Sequence, residues 1–309
     1  MPGEANRATT LRDVVQANLG LTLMICFWGA FFPVLERLLL SWDVYTITLA
    51  RQVVGTVVLY LGVLVERRRA RLPRIVSWRP ILILGGIGVS FGSLLTSLGV
   101  LYSSGLSSAI ISTTNPVTSA LTAAALYREP LARGLIFGTA LSVIGGLISV
   151  LAGQSVEGAH FGGGEILIIL ANVIWTWMSM AAQRWLRGYS QLQITCYTVG
   201  AGALWLLLPF PVVALTGMVP IRMDFSPASL AMVCFAGAFP IAIGNFFWHY
   251  GVSRIGIVVS SMYNNLLPVA AVAVTVLMGG IFTWWQLLGA GVILVGVFTA
   301  QILALRPRS

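Results

Sequence analysis

One buried charge, a few asparagines and several tryptophans are the residues of this chain with the clearest capacity for chemistry. Arg51 is the only charged residue well inside a long apolar stretch. If that stretch crosses a membrane, a guanidinium at that depth costs about 2.5–3.5 kcal/mol, so Arg51 is expected to have a partner, one candidate being the carboxylate of a bound solute. The alternatives are that Arg51 reaches the interface near Asp43, or that it braces carbonyl oxygens of a neighbouring helix.

Asparagines close to prolines form the second set. Asn115 and Pro116 lie midway along one apolar stretch, and Asn264, Asn265 and Pro268 lie midway along another. Proline removes an intrahelical hydrogen bond and frees a carbonyl, while asparagine offers donors and acceptors at the same depth. The pattern predicts hinge-like kinks at Pro116 and Pro268. It also predicts a midplane binding site that contains Asn115 and Asn264; kinks whose polar groups are satisfied by helix packing are the alternative.

Six aromatic residues inside the apolar stretches form the third set, as candidates for an aromatic lining: Trp28, Trp175, Trp177, Phe239, Trp248 and Tyr263. Trp28 and Trp175 occupy equivalent positions of an internal repeat, which favours a role at a central cavity over the interfacial role typical of tryptophans at stretch ends. We expect Trp28, Trp175 and Tyr263 to contact the apolar part of a solute. Its charged groups are expected to meet Asn115, Asn245, Asn264 and Arg51.

No aspartate or glutamate lies deep in any of the apolar stretches. Carriers driven by protons or sodium usually hold a carboxylate at depth, so strong ion coupling is not expected. The sequence also has no catalytic or metal-ligating set at membrane depth, which argues against an enzyme and against a bound cofactor. His249 could shuttle a proton but is expected at the cytoplasmic interface. Cys26, Cys196 and Cys234 are expected to be packing residues.

Membrane-spanning helices must position these residues. Hydrophobic residues make up 58% of the 309-residue chain and charged residues 9%, too few to cover a water-facing surface. Ten apolar stretches each reach the about 17–20 residues that a helix needs to cross a bilayer, and they are too long and continuous for barrel strands. They cover residues 14–35, 44–65, 80–101, 106–127, 131–152, 165–183, 191–215, 227–250, 256–279 and 283–305. The predicted fold class is an all-α integral membrane protein with ten transmembrane helices.

The arginines predict the orientation of these helices. All eighteen basic residues are arginine, and fifteen of them fall in segments that face the cytoplasm if the N-terminus does. Only Arg37 and Arg222 would lie outside, so the positive-inside rule predicts cytoplasmic N- and C-termini. The net charge of +9 then reflects membrane topology, and no nucleic-acid partner is expected.

The two halves of the chain resemble each other. Gly99, Pro116, Gly138 and Gly145 recur as Gly251, Pro268, Gly289 and Gly296, and Trp28, Ile47, Thr48 and Gly55 recur as Trp175, Ile194, Thr195 and Gly202. Each half contains five of the ten predicted helices. Because an odd number of helices ends on the opposite side of the membrane from where it began, the second unit must enter from the opposite side, which is the inverted repeat found in transporters. Equivalent loops of the two halves differ in arginine content, as that arrangement requires: the loop after the second stretch has six arginines, and the loop after the seventh has only Arg222. We predict a cytoplasmic segment 1–13, a first repeat 14–152, an external loop 153–164, a second repeat 165–305 and a tail 306–309.

The segment 98–150 resembles the characteristic half of an EamA domain of the drug/metabolite transporter superfamily. It has a proline in the fourth span, a glutamate after that span and a glycine-rich fifth helix, here Pro116, Glu129, Gly138, Gly145 and Gly146. The second half is similar at Pro268, Gly289 and Gly296 but has Gly280 where the family often has an acidic residue. Trp28-Gly29 and Arg51 also match the family pattern. Trp28, Trp175 and Asn245 make the chain most similar to the YddG group of aromatic amino acid exporters.

This resemblance implies export of aromatic or other neutral amino acids across a bacterial cytoplasmic membrane. The repeat predicts a multi-pass carrier that works by alternating access, and the lack of a deep carboxylate predicts transport without strong ion coupling. A carrier for another metabolite or a drug, a membrane enzyme or lipid-handling protein, and a channel are the alternatives. The expected partners are a small-molecule solute and membrane lipid, and the protein is expected to act as a monomer.

Overall fold

Long helices make up most of the structure. The computed structural model describes residues 10–69, 78–103, 115–128, 163–217 and 219–267 without interruption, and shorter pieces between 108 and 112, 136 and 148, and 269 and 299. Within these residues six helical segments are long and apolar enough to cross a membrane: Leu11–Leu38, Val44–Arg68, Trp78–Tyr102, Gly164–Trp185, Gln191–Thr216 and Pro227–Ile255. They match the first, second, third, sixth, seventh and eighth stretches of the sequence. The fifth and tenth lie mainly outside the described residues.

We label the helices in chain order. They are α1 (Leu11–Leu38), α2 (Val44–Arg69), α3 (Trp78–Tyr102), α4 (Asn115–Tyr127), α5 (Gly164–Trp185), α6 (Gln191–Leu207), α7 (Phe210–Thr216), α8 (Pro227–Ile255) and α9 (Ile257–Met262). A 3-10 turn, Tyr263–Leu266, follows α9.

Local sequence sets where several of these helices begin. Thr10 caps α1: its hydroxyl oxygen accepts from the backbone N–H of Asp13 at 3.2 Å, and the Asp13 carboxylate accepts from the backbone N–H of Thr10 at 3.0 Å. Ser190 and Gln193 form the same reciprocal pair at the start of α6. These side chains satisfy backbone donors that have no partner inside the helix.

Two π-helical segments occur at corresponding places in α3 and α8. They cover Leu84–Phe91 and Gly237–Gly244, 153 residues apart. The second contains Pro240, which has no N–H to donate. π-Helical turns are rare in proteins, and those that do occur are often located at functional sites. Their recurrence shows that the sequence repeat extends to an unusual backbone feature.

Close contacts between helices of the two halves follow the same repeat. Gly85 of α3 lies against α6, where a Cβ atom on Gly85 would be 2.8 Å from the backbone nitrogen of Gly202. Gly237 of α8 lies against α2, where a Cβ atom would be 2.8 Å from the carbonyl oxygen of Arg51. The contacts α3–α6 and α8–α2 are therefore equivalent, and each one joins the first half of the chain to the second.

Buried apolar residues form two clusters, each with members from both halves. One joins α1 to α8 and α9, through residues that include Leu21, Met24, Leu35, Trp248 and Met262. The other joins α2 and α3 to α5 and α6, through residues that include Leu59, Leu84, Met178 and Ile194. Trp175 packs against both clusters. The two halves interlock and share their apolar core.

Candidate functional site

A cavity lies where α1, α2, α3, α5 and α8 meet the 3-10 turn after α9. Its atom-free volume is about 770 Å³, a figure that includes the space at its open side. Its aromatic lining is Trp28, Phe31, Phe32 and Trp175, and its polar lining is Arg51, Ser93, Thr96, Ser112, Asn115, Asn172, Asn245 and Asn264. Among the described lining residues Arg51 is the only one with an ionisable side chain. The lining thus combines aromatic surface, amide groups and a single positive charge.

The structure brings six of the seven predicted solute contacts to this one cavity: Trp28, Arg51, Asn115, Trp175, Asn245 and Asn264. Tyr263, the seventh, is not among the lining residues. It is buried, and its hydroxyl donates to Oδ1 of Asn18 at 2.9 Å, which joins the 3-10 turn to α1. Pro116 is the second residue of α4 and is buried; Pro268 lies outside the described residues.

Helix α3 and an aromatic ring hold the guanidinium of Arg51. Nη2 donates to the carbonyl oxygen of Ser93 at 3.2 Å and to the hydroxyl oxygen of Ser97 at 3.0 Å. The guanidinium carbon lies 4.8 Å from the centre of the Phe31 ring, a cation–π contact. Arg51 is 2% exposed, so it does not extend to the interface. It braces a carbonyl of α3, and among the described residues it has no carboxylate partner.

Three tryptophans pack together beside the cavity. The ring centre of Trp28 lies 6.0 Å from that of Trp175 and 5.6 Å from that of Trp248. The indole nitrogen of Trp28 donates to the carbonyl oxygen of Pro240 at 3.1 Å, within the π-helical segment of α8. Trp248 is fully buried and donates to the hydroxyl of Ser179 at 2.7 Å. Trp28 and Trp175 thus line the cavity, and Trp248 supports them from behind.

His249, which was expected at the cytoplasmic interface, is buried inside the protein. Its side chain is 1% exposed, and its ring centre lies 6.3 Å from that of Trp175. A histidine near the end of an apolar stretch looks interfacial in the sequence, but the packing of α8 against α5 covers this one. It is not among the lining residues of the cavity.

Sequence reasoning missed several lining residues that the structure identifies, among them Phe31, Phe32 and Asn172. Phe31 and Phe32 follow Trp28 by about one helical turn, and Asn172 precedes Trp175 by three residues. Residues three or four apart share a helix face, so their spacing from the two tryptophans was the available signal. Asn172 is notable because it adds an amide in the middle of an apolar helix.

Polar contacts close the side of the bundle where α1 begins. Tyr250 donates to the Gln16 side chain at 3.0 Å, and the Arg254 guanidinium lies 3.9 Å from the Asp13 carboxylate. With the Asn18–Tyr263 hydrogen bond, these contacts join the first turns of α1 to α8 and to the turn after α9. The cavity residues of α1 lie further along the helix, toward the end that the arginine distribution predicts to be external.

Comparisons with known protein sequences agree on one family. The sequence pattern described as "EamA-like transporter family" matches residues 16–151 and 162–300. The chain is 28% identical over 287 residues to the "Probable terminal-alkyne amino-acid exporter" of Streptantibioticus cattleyicolor, covering 91% of this chain and 92% of that protein. It is 26% identical over 223 residues to the "Uncharacterized transporter YyaM" of Bacillus subtilis, covering 71% and 72%. A crystal structure that is 17% identical superposes with a TM-score of 0.73 over 95% of this chain and 99% of that one. The family pattern occurs twice along the chain, in agreement with the predicted repeat.

Proposed function

Because this chain belongs to the EamA-like transporter family, we propose that it exports aromatic or other neutral amino acids across a bacterial cytoplasmic membrane. Family membership makes it a multi-pass membrane transporter and not an enzyme. The amino acid substrate, the direction of transport and the YddG-like specificity are the proposal. The observation that carries it is a cavity with aromatic walls, several amides and one arginine without a carboxylate partner among the described residues.

The lining matches the parts of a neutral amino acid. Aromatic surface at Trp28, Phe31 and Trp175 suits an apolar or aromatic side chain, since ring contacts add about 0.5–1.5 kcal/mol to simple burial. Arg51 suits the carboxylate, and the amide oxygens of Asn115, Asn245 and Asn264 suit the ammonium. The relative from Streptantibioticus cattleyicolor, a probable terminal-alkyne amino-acid exporter, supports the same class of substrate.

Alternating access is the proposed mechanism. Polar contacts hold the bundle closed at the start of α1, and the cavity lies further along the same helix. This arrangement supports a state in which the cavity is open to the outside. Release to the outside from this state would be followed by closure there and opening of the Asn18–Tyr263 side. The π-helical segments of α3 and α8 are the proposed flexible points, because widened helical turns are common at functional sites.

The inverted arrangement and the orientation are proposed together. The equivalent contacts α3–α6 and α8–α2 support two units of opposite direction, and the arginine distribution supports cytoplasmic termini. Single cysteines placed in segments 66–79 and 153–164, in a variant without Cys26, Cys196 and Cys234, measure this. A membrane-impermeant reagent added to intact cells is expected to label only the second segment. Labelling of the first segment alone would reverse the orientation.

Transport of a zwitterionic amino acid is expected to follow the amino acid's own gradient. The described cavity lining holds no aspartate or glutamate, and its one charged group is a guanidinium, which keeps its proton at physiological pH. In proteoliposomes, labelled phenylalanine should exchange and equilibrate with saturable kinetics, and an imposed pH gradient should not drive accumulation. Liposomes without protein are the control.

The same assay separates the proposed substrate from its rivals. Unlabelled tryptophan and leucine should compete with phenylalanine, whereas lysine, nucleosides and cationic drugs should not. Absence of saturable amino acid flux would contradict the proposed function. Accumulation that an ionophore abolishes would contradict the uncoupled mechanism and would make His249→Ala the next variant to measure.

A further inference from the structure

Several side chains that line the cavity have a buried polar atom without a hydrogen-bond partner in the described part of the chain. Ten buried side-chain nitrogen and oxygen atoms have no hydrogen-bond partner within the described part of the chain, and four of them belong to residues that line the cavity. These four are Nε of Arg51, Nδ2 of Asn172, Nε1 of Trp175 and Oδ1 of Asn264. Buried polar groups in folded proteins are nearly always paired, so a group of exceptions at one site points to a ligand that completes them.

The four atoms differ in hydrogen-bonding type. Those of Arg51, Asn172 and Trp175 are N–H donors, and that of Asn264 is an amide carbonyl oxygen, which is an acceptor. A ligand that satisfies all of them must offer several acceptor lone pairs and at least one donor. A carboxylate supplies the first, and an ammonium group supplies the second.

Asn172 and Trp175 are placed to act together. They lie three residues apart on α5, and side chains at that spacing share one face of a helix. Trp28 differs, because its indole N–H already donates to the carbonyl oxygen of Pro240 at 3.1 Å. The two repeat-equivalent tryptophans therefore present different groups: Trp28 has only its ring free for a ligand, and Trp175 has its ring and its N–H.

We propose that the cavity selects solutes that carry a carboxylate, and that Asn172 and the indole N–H of Trp175 are the donors that recognise it beside Arg51. Asn264 accepts from the ammonium group through Oδ1. This inference rests on the proposed function and deepens it, because it names the chemical group by which the substrate is recognised. It also assigns specificity to Asn172 and gives Trp175 a hydrogen-bonding role in addition to ring contact.

Three probes that share one aromatic ring test the assignment: L-phenylalanine, L-phenylalaninamide, which lacks the carboxylate, and 3-phenylpropionate, which lacks the ammonium group. Binding of each is measured on purified protein by quenching of tryptophan fluorescence and by inhibition of labelled phenylalanine exchange. The wild-type protein is expected to bind the amide and the propionate at least about tenfold more weakly than phenylalanine, since each lost charge-assisted hydrogen bond is worth a factor of that size.

Two variants distinguish the donors from simple packing. Asn172→Leu and Trp175→Phe should each weaken binding of phenylalanine and 3-phenylpropionate about tenfold and leave phenylalaninamide nearly unchanged. Asn264→Leu should weaken binding of the two probes that carry an ammonium group, phenylalanine and phenylalaninamide, and leave binding of 3-phenylpropionate nearly unchanged. Trp177→Phe is the matched control, because Trp177 lies on the same helix, packs against Trp185 and is not among the lining residues. It should bind all three probes as the wild type does.

Equal weakening for all three probes in Asn172→Leu and Trp175→Phe would overturn the assignment and leave both residues as packing residues. Wild-type protein that binds phenylalaninamide as tightly as phenylalanine would overturn carboxylate selection while leaving amino acid transport intact. If phenylalanine is neither bound nor exchanged, the proposed function fails. In that case one measurement still tests the donor assignment: Asn172→Leu should weaken binding of 3-phenylpropionate and leave binding of phenylalaninamide nearly unchanged.

Discussion

Replacing Arg51 with methionine is expected to lower transport at least about 100-fold while the protein remains folded. A fully buried cation that meets a substrate carboxylate contributes about 2–5 kcal/mol to binding when its removal leaves the other charge unpaired, and 100-fold corresponds to about 2.7 kcal/mol. Methionine retains most of the apolar volume of the arginine stem. The measurement is phenylalanine exchange in proteoliposomes at equal amounts of inserted protein.

The thermal stability of the Arg51→Met protein is not expected to fall with its transport rate. Arg51 has no carboxylate partner among the described residues, and burying an unpaired charge is costly, so Arg51→Met should unfold at the same temperature as the wild type or higher. Gln52→Met is the matched control. Gln52 is buried beside Arg51 and donates to the hydroxyl of Ser93 at 2.9 Å, but it is not among the lining residues. We expect this variant to retain transport.

Two results would change the role given to Arg51. Retained transport in Arg51→Met would reduce its function to bracing Ser93 and Ser97. A large loss of thermal stability together with transport would make the brace essential to the fold. Arg51→Lys then separates charge from geometry, because lysine keeps the charge but cannot donate in the planar arrangement of a guanidinium.

Replacing Gly85 or Gly237 with alanine is expected to destabilise the fold by at least about 1–3 kcal/mol, the usual cost of overpacking. The added Cβ would lie 2.8 Å from the backbone nitrogen of Gly202 in the first case and 2.8 Å from the carbonyl oxygen of Arg51 in the second. Backbone atoms cannot rotate away as a side chain can, so the helices must separate. The measurement is the fraction of detergent-solubilised protein that stays monodisperse in size-exclusion chromatography after heating.

Gly92→Ala provides the control within α3. A Cβ atom there would meet only the Cγ2 atom of Ile174, at 3.6 Å, which is an ordinary contact. Because alanine restricts the unfolded chain more than glycine does, a compatible Gly→Ala change stabilises by about 0.4–1 kcal/mol. Equal stability of the Gly85→Ala, Gly237→Ala and Gly92→Ala proteins would contradict the close approach of the helices. Destabilisation by only one of the first two would contradict the equivalence of the two contacts.

The amino-acid sequence by itself determined the class of protein, the position of most helices and the repeat. These properties depend on the length and composition of local stretches, which do not change when the stretches pack. Arg51 could be identified for the same reason, since a charge within an apolar stretch is unusual wherever that stretch lies. Trp28 and Trp175 could be identified because the repeat relates them.

Only the tertiary structure decided which face of each helix meets the cavity. In a membrane protein both the lipid-facing and the core-facing sides of a helix are apolar, so hydrophobic periodicity does not mark the buried face as it does in a soluble protein. Tyr263 and His249 show the consequence. Tyr263 was expected at the cavity and His249 at the interface, and both are buried outside the cavity lining. Asn172 shows the opposite case. Whether its amide is paired depends on which side chains the neighbouring helices bring near it, and no pattern within a single helix contains that information.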